Sequence, residues 1–340
     1  MATLKEIAQE AGVSVMTVSR VINKRYGEVS EENIRKIQEI IDRLGYVPNY
    51  SARNLSSKSS NIISILIQGT ETPLSSPYNA SMLNYIIQGI QERGFNTMVH
   101  FVSDYSEVTQ HLQSWRAQGA IFFGTFDKDM QKIQTSNPMP LVFTDSYSNM
   151  RQVINIGIDD YKGGVLAAKH FIEKGHTAFS FVSSYIEDSK VIQQRLNGFR
   201  DTLEQNGFSL PDCNIIDSCH MEECAERLCC LSVPATAVFL DSDMHAIELI
   251  SALRKKGYRI PEDYSVIGFD NLPLSSFLTP QLTTVAQNIE QKAKYALDIL
   301  FRHLEDPSLP AENVILDVNL VVRTTTGSKT TDHQENQREP

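Results

Sequence analysis

The sequence predicts a two-part protein, in which a small three-helix, helix–turn–helix headpiece precedes a much larger α/β body. Residues 1–46 contain three short helical patterns, each preceded by a capping residue. From residue 61, short apolar runs alternate with amphipathic helices over about 260 residues, which indicates a parallel, doubly wound architecture. Some ten strand candidates exceed one ordinary sheet, so we expect the body to divide into two subdomains.

Composition limits the class of protein. With 340 residues, two or three domains are expected, and 41% hydrophobic and 21% charged residues are typical of a globular protein. No apolar run reaches the length of a membrane span, and the first residues, M-A-T-L-K-E-I-A, do not resemble a signal peptide. We therefore expect a cytoplasmic protein without a membrane partner. Because no G-x-S-x-G, H-E-x-x-H, Walker A or G-x-G-x-x-G motif occurs, we expect neither an enzyme nor a bound cofactor.

The cysteines do not form a recognisable metal or disulfide pattern. They are Cys213, Cys219, Cys224, Cys229 and Cys230. An odd, clustered set predicts reduced thiols, and without a C-x-x-C pair a zinc site with His220 is disfavoured. The spacing of Asp241 and Asp243 suits calcium but lacks the Gly and distal Glu of an EF-hand loop. We expect packing cysteines and no metal, with a redox-sensing thiol as the remaining alternative.

The charge is distributed unevenly along the chain. The net charge of −10 argues against nucleic-acid binding when the chain is taken as a whole. Residues 1–60, however, carry nine basic and seven acidic residues, whereas the remaining 280 carry 22 and 34. This asymmetry has the sign expected of a DNA-binding head on an acidic body, although a net charge of +2 is modest.

The headpiece helices are defined by their caps. Thr3 and Glu6 form a capping box that predicts the start of the first helix, and Gly12 permits the turn that ends it. Ser14 can cap a second helix from Val15 to Asn23, and Ser30 a third that continues to Leu44. Ala8, Gly12 and Val18 supply the small residue, the turn glycine and the buried apolar residue that a helix–turn–helix requires. A generic three-helix fragment is the alternative.

The second helix of such a motif lies in the major groove, with its first residues at the base edges. The candidate base contacts are Val15, Met16 and Arg20, of which only Arg20 can make a bidentate contact to guanine. The candidate phosphate contacts, which fix register but carry little sequence information, are Thr17, Ser19 and Asn23.

The strand candidates of the body are short apolar runs. They are Ile62–Ile67, Thr97–Val102, Ala120–Phe123, Pro140–Thr144, Val153–Ile158, Phe179–Val182, Asn214–Ile216, Ala237–Leu240, Ser265–Phe269 and Val314–Val318. Helices fit between most of them and end repeatedly at Gly followed by a large residue.

Ordered sequence motifs run through nearly the whole chain. The headpiece carries A-G-V-S-V-M-T-V-S-R-V-I-N, and G-Y-V-P-N-Y-S-A-R-N-L follows it. The body carries Gly164, K-G-H at 174–176, R-L-N-G-F at 195–199, P-x-T-A at 234–237, S-D at 242–243, V-I-G-F-D-N at 266–271, P-Q-L-T-T-V at 280–285 and V-R-T-T at 322–325. In this order the motifs resemble the lactose/galactose-repressor (LacI/GalR) family of bacterial transcription regulators.

The resemblance implies a hinge helix after the headpiece. In the family this segment folds when a dimer sits on its operator, and a leucine is inserted in the minor groove. Here Asn49 would cap the hinge helix, Ala52 would lie beneath it and Leu55 would be the wedge. Unstacking a base step costs a few kcal/mol, and the added contacts between the protein and the bent DNA offset this cost. An ordinary linker leucine is the alternative.

The resemblance also implies that the body has the type I periplasmic-binding-protein fold, with a ligand in the cleft between the subdomains. The pocket residues carried over are Arg195, Asp270, Asp145 and Ser242. The alternative to a pocket role is a surface position for Arg195, and capping of the following loop for Asp270. Ser242 stands where the family often has asparagine, and C-H-M at 219–221 replaces an expected aromatic platform, which puts the preferred ligand in doubt. Tyr78 is a stacking residue or packs within its loop.

The expected domains are a headpiece (1–46), a hinge and linker (47–60), an effector-binding and dimerisation body (61–327) and a disordered tail (328–340). Within the body, 61–158 with 288–318 would form the N-subdomain, and 159–287 with 319–327 the C-subdomain. In the family that this chain resembles, tetramers form through a C-terminal leucine heptad helix; residues 327–340 contain no leucine, so the resemblance implies a homodimer.

The expected function is a sequence-specific repressor at the nucleoid, which binds a pseudo-palindromic double-stranded DNA operator and responds to a small, sugar-like effector. One alternative keeps the DNA-binding role but has a phosphocarrier protein as effector. The other is a sugar-binding transport component, which the headpiece and the absence of a signal-like start disfavour.

Overall fold

The structure, a computed structural model, describes residues 2–46, 60–68, 73–102, 105–124, 130–146 and 153–329. The predicted hinge residues Asn49, Ala52 and Leu55 lie outside these ranges, as does most of the predicted tail. The chain forms two compact units, Met1–Ser60 and Asn61–Pro340.

The first unit is a bundle of three helices. These are α1 (Leu4–Ala11), α2 (Val15–Ile22) and α3 (Glu31–Leu44). The predicted capping box between Thr3 and Glu6 is present, and Ser14 and Ser30 accept hydrogen bonds from the first turns of α2 and α3. Gly12 takes a left-handed conformation at φ 70° that ends α1. The core between the helices consists of Ile7, Ala8, Ala11, Val18, Val21, Ile37 and Ile40.

The second unit contains two six-stranded sheets. The first sheet has the order β11-β5-β4-β3-β1-β2, and its neighbouring strands are all parallel. Its strands are β1 (Ile62–Gln68), β2 (Asn96–Val102), β3 (Gly119–Phe123), β4 (Leu141–Thr144), β5 (Ile154–Ile158) and β11 (Asn313–Leu316). The helices that follow these strands or pack on them are α4 (Pro77–Glu92), α5 (Tyr105–Ser114), α6 (Met130–Ser136) and α11 (Ile289–Glu305).

The second sheet has the order β12-β10-β9-β8-β6-β7, and only the β10–β12 pair among its described pairs is antiparallel. Its strands are β6 (Phe179–Ser183), β7 (Ile215–Asp217), β8 (Ala237–Leu240), β9 (Ser265–Asp270), β10 (Thr283–Ala286) and β12 (Asn319–Val321). Its helices are α7 (Asp160–Glu173), α8 (Lys190–Gln205), α9 (Met221–Cys229) and α10 (Asp243–Lys255).

Apolar clusters enclose each sheet and hold it as a separate layered body. Ile65 and Ile121 of the first sheet pack with Leu297 of α11, and Phe181 and Phe239 of the second pack with α7 and α8. The chain passes between the sheets after β5, after β10 and after β11. The predicted fold class, a helical headpiece before a two-part doubly wound body, is therefore confirmed. No described helix is long and apolar enough to cross a membrane.

Strands β10, β11 and β12 differ from the sequence-based expectation. Strand β10 was not predicted, because Thr283 and Thr284 are polar; the structure buries both, with their hydroxyls bonded inside the fold. The predicted single run Val314–Val318 is wrong in extent. Strand β11 ends at Leu316, and after a short crossing the chain begins β12 at Asn319 in the other sheet.

Candidate functional site

The start of α2 presents an apolar surface to solvent. Val15 is 41% and Met16 64% exposed, which is unusual for side chains of their size in a helix with a buried opposite face. Such side chains suit contact with thymine methyl groups. The sequence predicts both residues as base contacts, and their exposure leaves them accessible to DNA.

Arg20, the predicted polar base contact, already has a partner. Its guanidinium lies 2.6 Å from a carboxylate oxygen of Glu28, and both side chains are substantially exposed. Exposed ion pairs of this kind are weak, so DNA can compete for Arg20 at little cost. Glu28 was not identified from the sequence, because its pairing depends on the turn at Tyr26–Glu28.

The three predicted phosphate contacts form hydrogen bonds at the two ends of α2. The hydroxyl of Thr17 lies 2.9 Å from that of Ser14, and the amide of Asn23 donates to Ser19 at 3.3 Å. Lys24 and Arg25, which the sequence reasoning did not include, are exposed directly after this helix and are further candidates for phosphate contact.

In the body, a polar cluster lies at the carboxyl end of the first sheet. Asp145 directly follows β4 and accepts a hydrogen bond from the Tyr78 hydroxyl at 3.0 Å. Lys292 of α11 donates to the same hydroxyl at 2.8 Å and forms an ion pair with Asp145. The Lys292 side chain is only 1% exposed, so this cation is held beneath the surface. Burial and the neighbouring carboxylate of Asp145 raise the pKa of Tyr78 well above its ordinary value, so the hydroxyl keeps its proton.

A second polar cluster lies at the carboxyl end of the other sheet. Arg195 of α8 donates through Nε to Asp160 at 2.7 Å and through Nη1 to the carbonyl of Asp241 at 2.5 Å. Its guanidinium stacks on the ring of Phe269, 3.5 Å from the centroid. Burial disfavours the charge on Arg195, but Asp160 and Asp270 outweigh burial and raise its pKa. The alternative of a surface arginine is wrong, since the side chain is buried.

Close helix packing positions Arg195. A Cβ added at Gly164 of α7 would lie 2.1 Å from the Arg195 carbonyl, and one at Gly198 of α8 would lie 1.9 Å from the Tyr161 carbonyl. Only glycine permits this approach of the two helices. Their contact brings Asp160, at the start of α7, to the Arg195 guanidinium.

Asp270 ends β9 and accepts a hydrogen bond from Gln287 at 2.6 Å. Burial is the main reason that its pKa rises to about 8, so it is largely a protonated acid at neutral pH and can donate a hydrogen bond. Both Asp270 (φ 114°) and Asp145 (φ 59°) have left-handed backbone conformations, which side-chain-bearing residues rarely adopt. Backbone strain of this kind concentrates at ligand sites.

The two clusters, Tyr78–Asp145–Lys292 and Asp160–Arg195–Asp241–Asp270, lie within electrostatic range of each other. After burial and Asp145, the charges of Asp270 and Arg195 also act on the pKa of Tyr78. Gln287 joins the clusters along the chain, because it bonds Asp270 and lies just before the helix that carries Lys292. Its Oε1 atom is buried and has no hydrogen-bond partner among the described residues, so it is available to a ligand donor.

The remaining predicted pocket residue, Ser242, lies at the start of α10. Its hydroxyl caps this helix by accepting a hydrogen bond from His245 at 3.2 Å. His245, three residues further along the chain, lies next to the same polar cluster, because its Nδ1 is 2.6 Å from the Asp241 carboxylate. Burial lowers the pKa of His245, but the hydrogen bond to Asp241 and the charges of Asp241, Glu248 and Asp270 together outweigh burial and raise it.

A cavity of about 320 Å³ opens at the carboxyl ends of β6 and β7. Its lining includes Ser184, Tyr185, Asp217 and Cys219, but none of the four pocket residues that the sequence predicted. Cys219 thus lies at a cavity wall. Cys224 is buried, and burial raises the pKa of its thiol to about 11, which makes it unreactive. Among the described residues, no group of three or more His, Cys, Asp or Glu side chains could hold a metal ion.

Comparisons with known proteins match both units. Residues 3–49 match the family described as bacterial regulatory proteins, lacI family, and residues 168–326 match the periplasmic binding protein-like domain. The chain is 30% identical over 335 residues to the HTH-type transcriptional repressor PurR of Mannheimia succiniciproducens, which covers 95% of this chain and 98% of that protein. It is 31% identical over 333 residues to the probable HTH-type transcriptional repressor ExuR of Bacillus subtilis, with the same coverage.

Solved structures show the same fold. A crystal structure of the lac repressor dimer, bound to operator and the anti-inducer ONPF, matches with a TM-score of 0.85 at 24% identity, over 96% of this chain and 99% of that chain. The transcriptional regulator CelR in its cellobiose complex matches with a TM-score of 0.70 at 23% identity, over 96% and 100%. Together with the headpiece and the two-sheet body, these likenesses show that the chain belongs to the lacI family of bacterial regulatory proteins.

Proposed function

We propose that the protein is a sequence-specific transcriptional repressor that binds a pseudo-palindromic operator as a homodimer and responds to a small, sugar-like ligand in the cleft between its two sheets. The observation that carries the ligand assignment is the pair of buried polar clusters at the carboxyl ends of the two sheets. Crevices beyond the carboxyl ends of strands are the usual ligand sites of α/β sheets.

The groups in the cleft fit a neutral ligand with several hydroxyls. Lys292 is paired with Asp145 and Arg195 with Asp160, so neither cation is left to balance an anionic ligand. Protonated Asp270 offers a donor, and Gln287 and Asp145 offer acceptors. A sugar hydroxyl both donates and accepts, so one ring can satisfy groups on both sheets. Because these groups are interior, they favour a small molecule over a phosphocarrier protein as effector.

The headpiece supports the DNA-binding part of the proposal. We assign base contacts to Val15, Met16 and Arg20, and phosphate contacts to Thr17, Ser19 and Asn23. Leu55, with Asn49 and Ala52 in the same segment, is assigned to the minor groove. A regulator acting on DNA works in the cytoplasm at the nucleoid, and we place the protein there.

Dimerisation would supply the avidity that one weakly charged headpiece lacks. Leu274 and Phe277, in and beside the turn Pro273–Ser276, are 42% and 78% exposed. Adjacent exposed apolar side chains of this size are typical of an interface. The lac repressor that matches this fold was solved as a dimer on its operator, which agrees with the proposal. We retain the division into headpiece (1–46), hinge (47–60) and two-part body (61–327).

A ligand that bonds to both clusters would favour one arrangement of the two sheets over another. Its differential affinity for the two arrangements sets the coupling to DNA, and about 1–3 kcal/mol suffices to change operator affinity 5- to 150-fold. Both sheets would take part in such a change, because the chain crosses between them three times.

The ligand assignment is tested by a thermal-shift screen of neutral sugars, sugar acids and sugar phosphates. A ligand at 100 times its dissociation constant stabilises the folded state by about 2.7 kcal/mol. We expect a neutral sugar to stabilise the wild type but not Arg195→Ala. The matched control is Arg259→Ala, which removes an exposed arginine paired with Asp263 and should leave the response unchanged.

The DNA assignment is tested by selecting binding sites from random duplexes with the full-length protein. We expect a two-fold symmetric consensus sequence. Selection of no consensus would refute the proposed operator binding, and a sugar response that survives Arg195→Ala would refute the proposed pocket.

A further inference from the structure

A second cavity lies at the opposite end of the first sheet from the cleft. Its volume is about 530 Å³, in the range of small-molecule sites. It opens at the amino ends of β4 and β5, between the segment after α6 and the segment after α11. Asp145 marks the cleft end of β4, so the length of that strand, roughly 13 Å, separates the two sites.

Two buried polar residues lie in the wall of this cavity. Asn137 is 2% and His303 5% exposed, and both line the cavity. The Asn137 amide nitrogen donates to the Ile133 carbonyl at 2.8 Å and to the Thr109 hydroxyl at 3.1 Å, which fixes the orientation of the side chain. Asn137 Oδ1 and His303 Nε2, however, have no hydrogen-bond partner among the residues that the structure describes.

Buried polar atoms without hydrogen-bond partners destabilise the fold, because they have lost their bonds to water and gained none in return. A fold that carries two of them in the wall of one cavity gains stability when a ligand supplies both partners. Asn137 Oδ1 can only accept, so the ligand must offer a donor there. A histidine nitrogen accepts or donates according to its tautomer, so either a ring nitrogen or a second donor can meet His303.

The rest of the lining is mostly apolar. It consists of Pro138, Pro140, Pro307 and Pro310 with Met139, Leu141, Ile154, Leu309 and Ala311, while Gln134 adds an amide. None of these lining side chains is an acid, a lysine or an arginine. Proline rings and branched side chains present surfaces on which a planar ring can pack, and the uncharged lining favours a neutral molecule.

We propose that this cavity is a second small-molecule site, which binds a neutral, planar nitrogen heterocycle that donates one hydrogen bond to Asn137 and shares another with His303. The site is separate from the cleft. Lys292 and His303 lie eleven residues apart on α11, or roughly 16 Å along the helix.

Benzimidazole is the probe for this site, because it is planar, neutral at pH 7.5 and carries one N–H donor and one ring acceptor. The full-length protein is labelled with ¹³C at its Met and Ile methyl groups and titrated to about 10 mM benzimidazole, a concentration chosen for the millimolar affinity of a fragment. We expect shifts of the Met139 and Ile154 methyl signals. 1-Methylbenzimidazole, which lacks the N–H donor, should bind about tenfold more weakly, as expected for the loss of one hydrogen bond.

Variants assign the contacts. His303→Phe keeps the ring but removes its nitrogens, and should also weaken benzimidazole binding about tenfold. Arg259→Ala, which removes an exposed arginine paired with Asp263, should leave that affinity unchanged. Equal affinity for the two probes, shifts confined to other methyl groups, or no binding at 10 mM would each overturn this site. None of these results would affect the proposed operator binding or sugar response.

Discussion

The buried ion pair between Lys292 and Asp145 allows a quantitative test of how the cleft is built. Lys292 lies within the apolar face of α11, and its ammonium reaches only Asp145 and Tyr78 among its described hydrogen-bond partners. Replacing Lys292 with methionine keeps the length and most of the packing of the side chain but removes the charge. The Asp145 carboxylate, itself mostly buried, would then lose its cation.

Removing one partner of a buried pair costs about 3–5 kcal/mol, because the other charge is left uncompensated. For a body of this size, we expect Lys292→Met to lower the melting temperature by roughly 6–15 °C. The double variant Lys292→Met with Asp145→Asn removes both charges and keeps an oxygen that can accept from Tyr78. It should recover at least about 2 kcal/mol of the loss, which a double-mutant cycle measures as coupling.

The control is Lys162→Met, which removes a lysine paired with Asp317 at 2.5 Å on the surface. Exposed pairs contribute about 0–1 kcal/mol, so this variant should unfold close to wild type. Unfolding is followed by differential scanning fluorimetry and by urea titration. If Lys292→Met costs no more than Lys162→Met, or if the double variant recovers nothing, the buried pair does not stabilise the cleft.

Three further predictions concern the DNA surface and pH. Glu28→Gln releases Arg20 and removes a nearby negative charge, so operator affinity in low salt should rise several-fold. The control, Glu39→Gln, removes an exposed negative charge elsewhere in the headpiece and should change operator affinity less. Equal effects of the two variants would show that the Arg20–Glu28 pair does not influence DNA binding. Leu55→Ala should weaken operator binding far more than nonspecific binding in fluorescence anisotropy, and equal losses would exclude a wedge. The pKa of Asp270 is raised to about 8, so the folded state holds a proton that the unfolded chain loses near pH 4; stability should therefore fall as pH rises from about 4 to 8. Asp270→Asn should flatten that part of the melting-temperature profile, and an unchanged slope would assign the pH dependence to other groups.

Much of the fold could be predicted because it depends on short-range patterns. The caps at Thr3, Ser14 and Ser30 and the left-handed glycines Gly12 and Gly45 act within four residues of the helix ends that they define. Apolar runs likewise gave most of the strands. Strand β10 was not predicted, because the polar residues Thr283 and Thr284 are not typical of a buried strand. They can be buried here because their hydroxyl groups bond to Thr326 and Asp243, which lie about 40 residues away in the sequence.

The candidate site was only partly predictable, because its partners lie far apart in the chain. Arg195 and Asp270 carried a recognisable motif, whereas Asp160 and Gln287 are identified only by contact with them. Lys292 gave one local signal, since it occupies an inward position between Ile289 and Ala296 on α11. Its buried partner, Asp145, is 147 residues away in the sequence, so the sequence does not show what would balance a lysine charge on the inward face.

The sequence by itself determined the order of elements, the helix ends, the two-part organisation and the family, since each depends on neighbouring residues or on spacing along the chain. Only the tertiary structure decided which charges are neutralised. It paired Lys292 with Asp145, Arg195 with Asp160 and Arg20 with Glu28, and it buried Asp270 so that this acid keeps its proton. The physical reason is that charge pairing and desolvation depend on distance and burial in space, which the order of residues does not specify.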